Sequence, residues 1–346
     1  MEHGDNRNKS YANPSESITV SLSEDETLQN QNDIDIWLER GVAQQQTGNF
    51  VNAQQTFEKA RLAAQSIEDS TREVRALAYL GICFYSQGGY GRAIACGQQG
   101  LAIARRIGDR FLEGQIWGNL GNAYRHEGDY ERAIDAQQKS LELLQLQKDK
   151  TGQMAALNNL GLAYKAAGNY EAALNCQKQS LTLACHLGDV TTESQILKNL
   201  GNSSYALGRY TEAITYYERR LEIAKQMDDK RAQGQILRNL GNACYTLADY
   251  SQAIAYSEQR LEIAVDCQDY RTQEQALGSL GIAFDALGNY GQAIQYYEQR
   301  LTLAYKNGDR RVVEQTLGSL RVACYALGDY AKVMQYEQQV QLRSNS

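Results

Sequence analysis

A short motif returns every 40 residues along most of this chain. Its clearest copy is Leu120-Gly121-Asn122-Ala123-Tyr124, followed by Gly128-Asp129-Tyr130. No residue is inserted or deleted between Gly41 and Tyr330, so all copies keep one register. A fixed period of this length is typical of stacked repeat arrays, in which each unit packs on its neighbours. Triplets related to Gly128-Asp129-Tyr130 begin at residues 48, 88, 168, 208, 248, 288 and 328.

Each repeat is predicted to contain two helices, which we call helix A and helix B. Gly128 is placed to end helix A in a left-handed conformation, and Asp129 is placed to cap helix B. The only proline is Pro14, so nothing interrupts long helices in the rest of the chain. The apolar spacing expected for helix A of the third repeat is seen at Ile116, Trp117, Leu120, Ala123 and Tyr124.

The periodicity predicts an all-α fold built as an array of about eight helix-turn-helix repeats, an α-solenoid. Residues 1–33 are polar and acidic without helical periodicity, which predicts a disordered acidic N-terminal tail. The array is expected at 34–346, and residues 314–346 are expected to form a cap because Arg321 and Val333 depart from the repeat. The predicted units are 34–73, 74–113, 114–153, 154–193, 194–233, 234–273, 274–313 and 314–346.

Two columns of small residues predict close packing between the helices of a pair. Glycine recurs inside helix A at 41, 81, 121, 161, 201, 241 and 281, although each costs about 0.5–1 kcal/mol relative to alanine. Alanine recurs in helix B at 40-residue steps from Ala53 to Ala293. We expect helix B to pass too near these glycines for a Cβ.

Charge and cysteine usage exclude several classes of function. The net charge is −6, of which residues 1–33 carry −5, so the repeats are nearly neutral. A neutral array does not favour nucleic-acid binding, which needs a basic face. Seven scattered cysteines predict reduced, mostly packed thiols in a cytoplasmic protein, with no structural metal site and no cofactor. No secretory signal and no membrane insertion are expected.

The repeat resembles the tetratricopeptide repeat (TPR) family. The residues that carry the resemblance are Trp117, Leu120, Gly121, Tyr124, Tyr130, Ala133 and Leu141. The 40-residue unit, with Tyr-Glu-Gln-Arg-Leu-Thr-Leu-Ala at 297–304, resembles the subfamily found in Pins/LGN-type adaptors and kinesin light chain. The resemblance implies a right-handed superhelix whose helices A line a concave groove. In related proteins that groove binds an extended peptide or a partner's helix.

Little in the sequence supports catalysis. His126 and His186 have no repeated serine, cysteine or carboxylate partner, and a nucleophile–base pair needs one within hydrogen-bond reach. No phosphate-binding Gly-x-x-x-x-Gly-Lys-[Ser/Thr] pattern is present. We therefore expect a protein that is not an enzyme.

Asparagine columns on helix A are the strongest binding signal. An amide both donates to and accepts from a peptide backbone, so a ladder of them can hold an extended chain. Alternatively, these amides bond neighbouring helices and orient the stack. Side-chain selectivity would come from residues beside the ladder. The predicted peptide-binding groove comprises Asn119, Asn122, Asn159, Lys198, Asn199, Asn202, Tyr205, Arg238, Asn239, Asn242 and Tyr245.

The predicted function is a non-catalytic interaction scaffold that binds a protein or peptide partner, and the basic residues suit an acidic segment. A peptide-sensing regulator whose superhelix changes shape on ligand binding is the main alternative. Self-assembly through the array ends is a third, so the oligomeric state stays open. A TPR carboxylate clamp is a minor option, since Lys198, Asn202 and Asn239 match it but Gln275 and Ser279 do not.

Overall fold

The computed structural model describes the backbone of residues 24–344 and the side chains of residues 30–339. Every regular element in this part of the chain is an α-helix, which confirms the all-α prediction. The helices are α1 Glu24–Gln46, α2 Phe50–Ser66, α3 Ser70–Ser86, α4 Tyr90–Ile107, α5 Arg110–Glu127, α6 Tyr130–Leu146, α7 Lys150–Ala166, α8 Tyr170–Leu187, α9 Val190–Ala206, α10 Tyr210–Gln226, α11 Lys230–Thr246, α12 Tyr250–Asp266, α13 Tyr270–Ala286, α14 Tyr290–Asn307, α15 Arg310–Leu327 and α16 Tyr330–Ser344.

The described part of the chain forms two compact units, one that ends at residue 109 and one that begins at residue 110. The first contains helices α1–α4 and the second contains α5–α16. Within each unit a helix packs mainly on the helices before and after it in the chain, as expected for stacked helix pairs. None of the helices in the described range is long and apolar enough to cross a membrane.

Capping residues explain where the helices begin. The Asp129 side chain accepts a hydrogen bond from the backbone N–H of Arg132, as an N-cap does, and Gly128 has a φ of 83°. The same bond is made by the aspartates between repeats, which satisfies an otherwise unpaired N–H in the first turn. These aspartates are Asp69, Asp149, Asp189, Asp229, Asp269 and Asp309.

Two boundaries differ from the prediction. From α3 onward each helix A begins directly after an aspartate, so the predicted unit boundaries at 74, 114 and onward fall inside a helix. Helix α1 begins at Glu24, so residues 24–33 belong to this helix and not to a tail. Acidic residues suit the first turn of a helix, and the buried Ile34 and Leu38 anchor α1. The rest of the predicted tail, residues 1–23, lies outside the described residues.

The alanine column of helix B is buried throughout, from Ala53 to Ala293. At five of the seven helix A glycines, helix B lies too near for a Cβ, as predicted, and it is a side chain of helix B that makes the contact. A Cβ on Gly201 would lie 2.3 Å from the Tyr217 ring, and one on Gly121 would lie 2.6 Å from Gln137. A side chain of helix B, 16 residues further along, thus covers the glycine. Where that position holds only Ser257, a Cβ on Gly241 meets nothing nearer than 3.5 Å.

Candidate functional site

Residues of helices α7, α9, α10 and α11 line an open pocket of about 320 Å³, which we call the asparagine pocket. Four of the predicted groove residues, contributed by α9 and α11, line it. Two further residues, a lysine from α7 and a tyrosine from α10, complete the wall. The lining residues are Lys165, Asn202, Tyr205, Tyr217, Asn239 and Asn242.

The three asparagines of this pocket differ in their hydrogen bonds. The Tyr217 hydroxyl donates to the amide oxygen of Asn202 at 2.8 Å, which fixes the orientation of that amide. The amides of Asn239 and Asn242 make no side-chain hydrogen bond within the part of the chain that the structure describes. Each can donate two hydrogen bonds and accept at the oxygen, so this pair can hold a peptide group.

The asparagine pocket is electropositive. Burial of Lys165 lowers the pKa of its ammonium group, and the neighbouring Lys198 lowers it further. Burial also raises the pKa of Tyr217 to about 12, so its hydroxyl stays protonated and remains a donor to Asn202. The lining contains no carboxylate, histidine or cysteine. Such a surface is suited to binding an anionic or hydrogen-bonding group.

Elsewhere on the ladder the amides bond to the protein itself. The Asn199 amide donates to the amide oxygen of Asn158 at 3.1 Å, which links α9 to α7. The amide oxygen of Asn122 accepts from Gln137 at 3.2 Å. These two contacts are of the structural kind that we considered as the alternative. Asn119 and Asn159 are half-buried and line neither the asparagine pocket nor the second pocket described below.

The residues predicted to supply selectivity are dispersed. Tyr205 lines the asparagine pocket, and its hydroxyl lies 3.3 Å from the Thr246 hydroxyl. Lys198 acts on the pocket through its charge and does not line it. Tyr245 is exposed and packs its ring against Tyr250, with 5.3 Å between the ring centroids.

Arg238 lines a second pocket, of about 350 Å³, between α11, α12 and α13. Gln275 lies here too, whereas Asn202 and Asn239 line the asparagine pocket, so the clamp residues are not gathered in one place. We call this second pocket the basic pocket. Its charged lining residues are Lys230, Arg231, Arg238, Arg260, Asp269 and Arg271.

Tyr217 and Arg260 were not among the predicted groove residues, although each lines one of the two pockets. Arg220, Arg260 and Arg300 recur at one position of helix B. Arg300 pairs at 2.6 Å with Glu274 of its own repeat. Among the described residues no group of three or more histidine, cysteine or acidic side chains is placed to hold a metal ion.

Comparison with known proteins identifies the family. The tetratricopeptide repeat family matches residues 33–106, 112–185 and 192–264, and a second tetratricopeptide repeat profile matches residues 276–311. Together these segments cover well over half of the chain. No curated protein matches the sequence.

Solved structures share the fold at low sequence identity. One is a signal transduction ATPase with numerous domains (STAND) from Pyrococcus horikoshii that carries a tetratricopeptide repeat sensor. It is 18% identical with a TM-score of 0.60 over 91% of this chain and 54% of that one, so the chain spans about half of its length. The apo quorum sensor NprR from B. thuringiensis is 15% identical, with a TM-score of 0.54 over 91% and 90% of the two chains.

A third structure contains the nearly identical TPR-like repeats of a Podosopora anserina protein described as a kinesin light chain. It is 16% identical, with a TM-score of 0.50 over 57% of this chain and 96% of that one. Identities this low establish the fold alone. The family matches, the 40-residue helix pairs and the capped turns together lead to one conclusion: this chain belongs to the tetratricopeptide repeat family.

Proposed function

We propose that the protein is a non-catalytic interaction scaffold that binds an extended, acidic segment of a partner protein in the asparagine pocket. The observation that carries the proposal is the pair of amides of Asn239 and Asn242, which face this pocket and make no hydrogen bond with the described side chains. A peptide backbone offers alternating donors and acceptors that such amides can match.

Charge supports an acidic ligand. Lys165 lines the pocket and Lys198 lies near it, and neither forms an ion pair in the described part of the chain. A carboxylate placed between them would relieve their repulsion, so an acidic side chain next to the bound backbone is favoured. The tyrosines Tyr205 and Tyr217 supply apolar walls with a hydroxyl at the end, as is common in binding sites.

An array of short peptides, half of them rich in aspartate and glutamate, tests the proposal directly. The purified protein is expected to bind a subset of acidic peptides, and Asn239→Ala/Asn242→Ala is expected to lose about tenfold or more in affinity, since two peptide hydrogen bonds disappear. Asn159→Ala is the matched control, because it removes the same residue type from the same column outside the pocket. Equal binding by all three proteins would refute the role of the pocket.

A sensor is the second candidate function. Two of the structural neighbours are described as sensors, which favours a protein that responds to a bound ligand. Small-angle scattering of the protein with and without its best peptide separates the two candidates. A sensor is expected to compact or open on binding, whereas a scaffold is expected to keep its radius of gyration.

A further inference from the structure

The basic pocket contains far more positive than negative charge. Its cationic residues come from α11, α12 and α13 and number five, whereas the only carboxylate in its lining is Asp269. That carboxylate is already engaged, because it accepts from the backbone N–H of Thr272 at 3.0 Å and from the Thr272 hydroxyl at 2.6 Å. The cationic residues are Lys230, Arg231, Arg238, Arg260 and Arg271.

Arg260 is buried at this pocket without an ion-pair partner. Its side chain is only 5% exposed, and its single hydrogen bond within the described structure runs from Nη2 to the amide oxygen of Gln275 at 2.7 Å. Its Nε is buried and unpaired. Burial, together with the nearby Arg238, lowers the pKa of this guanidinium to about 10, against the opposing charges of Asp269 and Glu274, neither of which forms an ion pair with it in the described structure. A buried cation of this kind is costly unless an anion pairs with it.

In the next repeat, the equivalent buried arginine is paired with a carboxylate. Arg300 occupies the equivalent position 40 residues on, and its guanidinium bonds to Glu274 at 2.6 Å. The residue equivalent to Glu274 in the repeat of Arg260 is Gly234, which lines the basic pocket. A Cβ built on Gly234 meets nothing within 4 Å. The fold therefore leaves room beside Arg260 at the place where Arg300 receives a carboxylate.

Arg220 occupies the same column but lacks these surroundings. It is buried and its Nε is also unpaired, and Ser194 stands at the position of Glu274. The carboxylate of Asp229 acts on the charge of Arg220 and opposes the lowering of its pKa by burial. Arg220 lines neither the asparagine pocket nor the basic pocket. Burial of an arginine alone thus does not create the site. Arg260 differs because four further cations and an open space surround it.

We propose that the basic pocket binds an oxyanion of the phosphate class, with Arg260 as the buried ligand and Arg238, Lys230, Arg231 and Arg271 around it. A phosphate group carries about −1.5 to −2 charges near neutral pH and offers several acceptor oxygens, so it matches converging cations better than one carboxylate does. The planar guanidinium group of an arginine can donate two hydrogen bonds at once to two oxygens of a phosphate group. This site is separate from the asparagine pocket, and it stands whether or not that pocket binds a peptide.

Gly234→Glu is the most informative variant, because it installs the carboxylate that Arg300 already has. The space at Gly234 admits the new side chain, and glutamate favours a helix over glycine, so the fold is expected to hold. Gly234→Ala controls for the added Cβ. Gly318→Glu controls for the change in charge and helix propensity, since Gly318 also has open space at its Cβ and lies in α15, outside the pocket.

Inorganic phosphate is the probe, titrated into the full chain at constant ionic strength and followed by ³¹P line broadening and by thermal unfolding. Wild type, Gly234→Ala and Gly318→Glu are expected to bind phosphate and gain thermal stability, whereas Gly234→Glu and Arg260→Gln are expected to bind at least tenfold more weakly. Equal binding by all five proteins, or binding by none, would overturn the proposal. Circular dichroism confirms that each variant is helical before titration.

A second arm identifies the source of the phosphate group. Phosphoserine, a phosphoserine peptide and the same peptide unphosphorylated are titrated into wild type and Gly234→Glu. Tighter binding of the phosphopeptide than of free phosphate, lost in Gly234→Glu, assigns a phosphorylated protein segment. Equal affinity for phosphate and phosphopeptide assigns a small phosphorylated ligand. If the asparagine-pocket variants bind acidic peptides as well as wild type does, the proposal for that pocket fails, but the phosphate titrations are unaffected. The two sites are therefore tested separately.

Discussion

Tyr217 of α10 lies directly over Gly201 of α9. A Cβ built on the glycine would lie 2.3 Å from Cε1 of the tyrosine, closer than two carbon atoms can approach. The hydroxyl of the same tyrosine donates to the amide oxygen of Asn202 at 2.8 Å. The glycine therefore admits the ring, and the ring in turn orients an amide of the asparagine pocket.

Alanine substitutions at Gly201 and Gly241 are expected to have opposite effects on stability. At Gly201 the added methyl group displaces the Tyr217 ring, and overpacking of about 1–3 kcal/mol outweighs the gain in helix propensity. At Gly241 the nearest atom is the Ser257 hydroxyl oxygen at 3.5 Å, so the helix gains about 0.5–1 kcal/mol. Urea unfolding of both variants measures the difference. A stabilised Gly201→Ala protein would show that the ring moves aside at no cost.

The sequence predicts the fold well because the signals for each helix are local. A capping aspartate, an apolar stripe and a left-handed glycine act within one turn of the helix they shape, so Asp129 and Gly128 could be assigned directly. From α3 onward, the start of each helix A follows from the aspartate that directly precedes it.

The sites are harder to predict because they depend on which distant residues face each other. Tyr217 donates a hydrogen bond to Asn202, 15 residues away, and Asn199 donates one to Asn158. Neither contact can be predicted unless the packing of the two helices is known. The basic pocket depends on Gly234 standing where the next repeat has Glu274. That difference becomes meaningful only once the structure brings Glu274 to Arg300, 26 residues later.

The ion pair between Asp35 and Arg72 is expected to make the first unit sensitive to acid. Arg72 Nη2 lies 2.6 Å from the Asp35 carboxylate, and Arg75 Nη1 lies 3.3 Å from it. The hydrogen bond from Arg72 holds the pKa of Asp35 below its usual value of 3.8. A carboxyl group whose pKa is lower in the folded than in the unfolded protein stabilises the fold at pH values above its unfolded-state pKa. This contribution is lost as the pH falls through the folded-state pKa.

Asp35→Asn is therefore expected to be less stable than wild type at pH 7 by about 0.5–1 kcal/mol, a modest value because the pair is partly exposed. The gap should close as the pH falls below 3.8. Asp33→Asn, which removes a carboxylate without an ion pair in the described structure, controls for net charge. Denaturant unfolding at a series of pH values provides the measurement, and a gap independent of pH would contradict the role of the pair.

Six of the seven thiols are expected to react with a thiol reagent in two distinct phases. Cys185 and Cys267 are exposed and should react first, whereas Cys83, Cys176, Cys244 and Cys324 are buried and should wait for unfolding. Burial raises the pKa of Cys83 and of Cys244 to about 11, which further reduces their thiolate fraction.

Labelling followed by mass spectrometry assigns each phase to a residue. Cys267→Ser should remove one fast thiol, and Cys244→Ser should leave the fast phase intact. Rapid labelling of Cys244 in the native protein would indicate that α11 and α12 separate readily.

Ala248 has a left-handed backbone conformation at a turn position where the other repeats have glycine. Its φ is 59°, in the turn between α11 and α12, where an L side chain costs about 1–2 kcal/mol. Ala248→Gly removes this strain but makes the unfolded chain more flexible, so a net gain of about 0.5–1 kcal/mol is expected. The equivalent turns have glycine at 48, 88, 128, 168, 208, 288 and 328.

Gly208→Ala is the reciprocal change, in the turn between α9 and α10. The glycine has a φ of 73° and nothing within 4 Å of its Cβ position, so alanine meets backbone strain without a clash. It is expected to lose about as much stability as Ala248→Gly gains. Denaturant midpoints of the two single variants and of the double variant test this, and the double variant should return close to wild type because the turns lie in different repeats. A destabilised Ala248→Gly protein would mean that the alanine methyl group contributes packing that outweighs its strain.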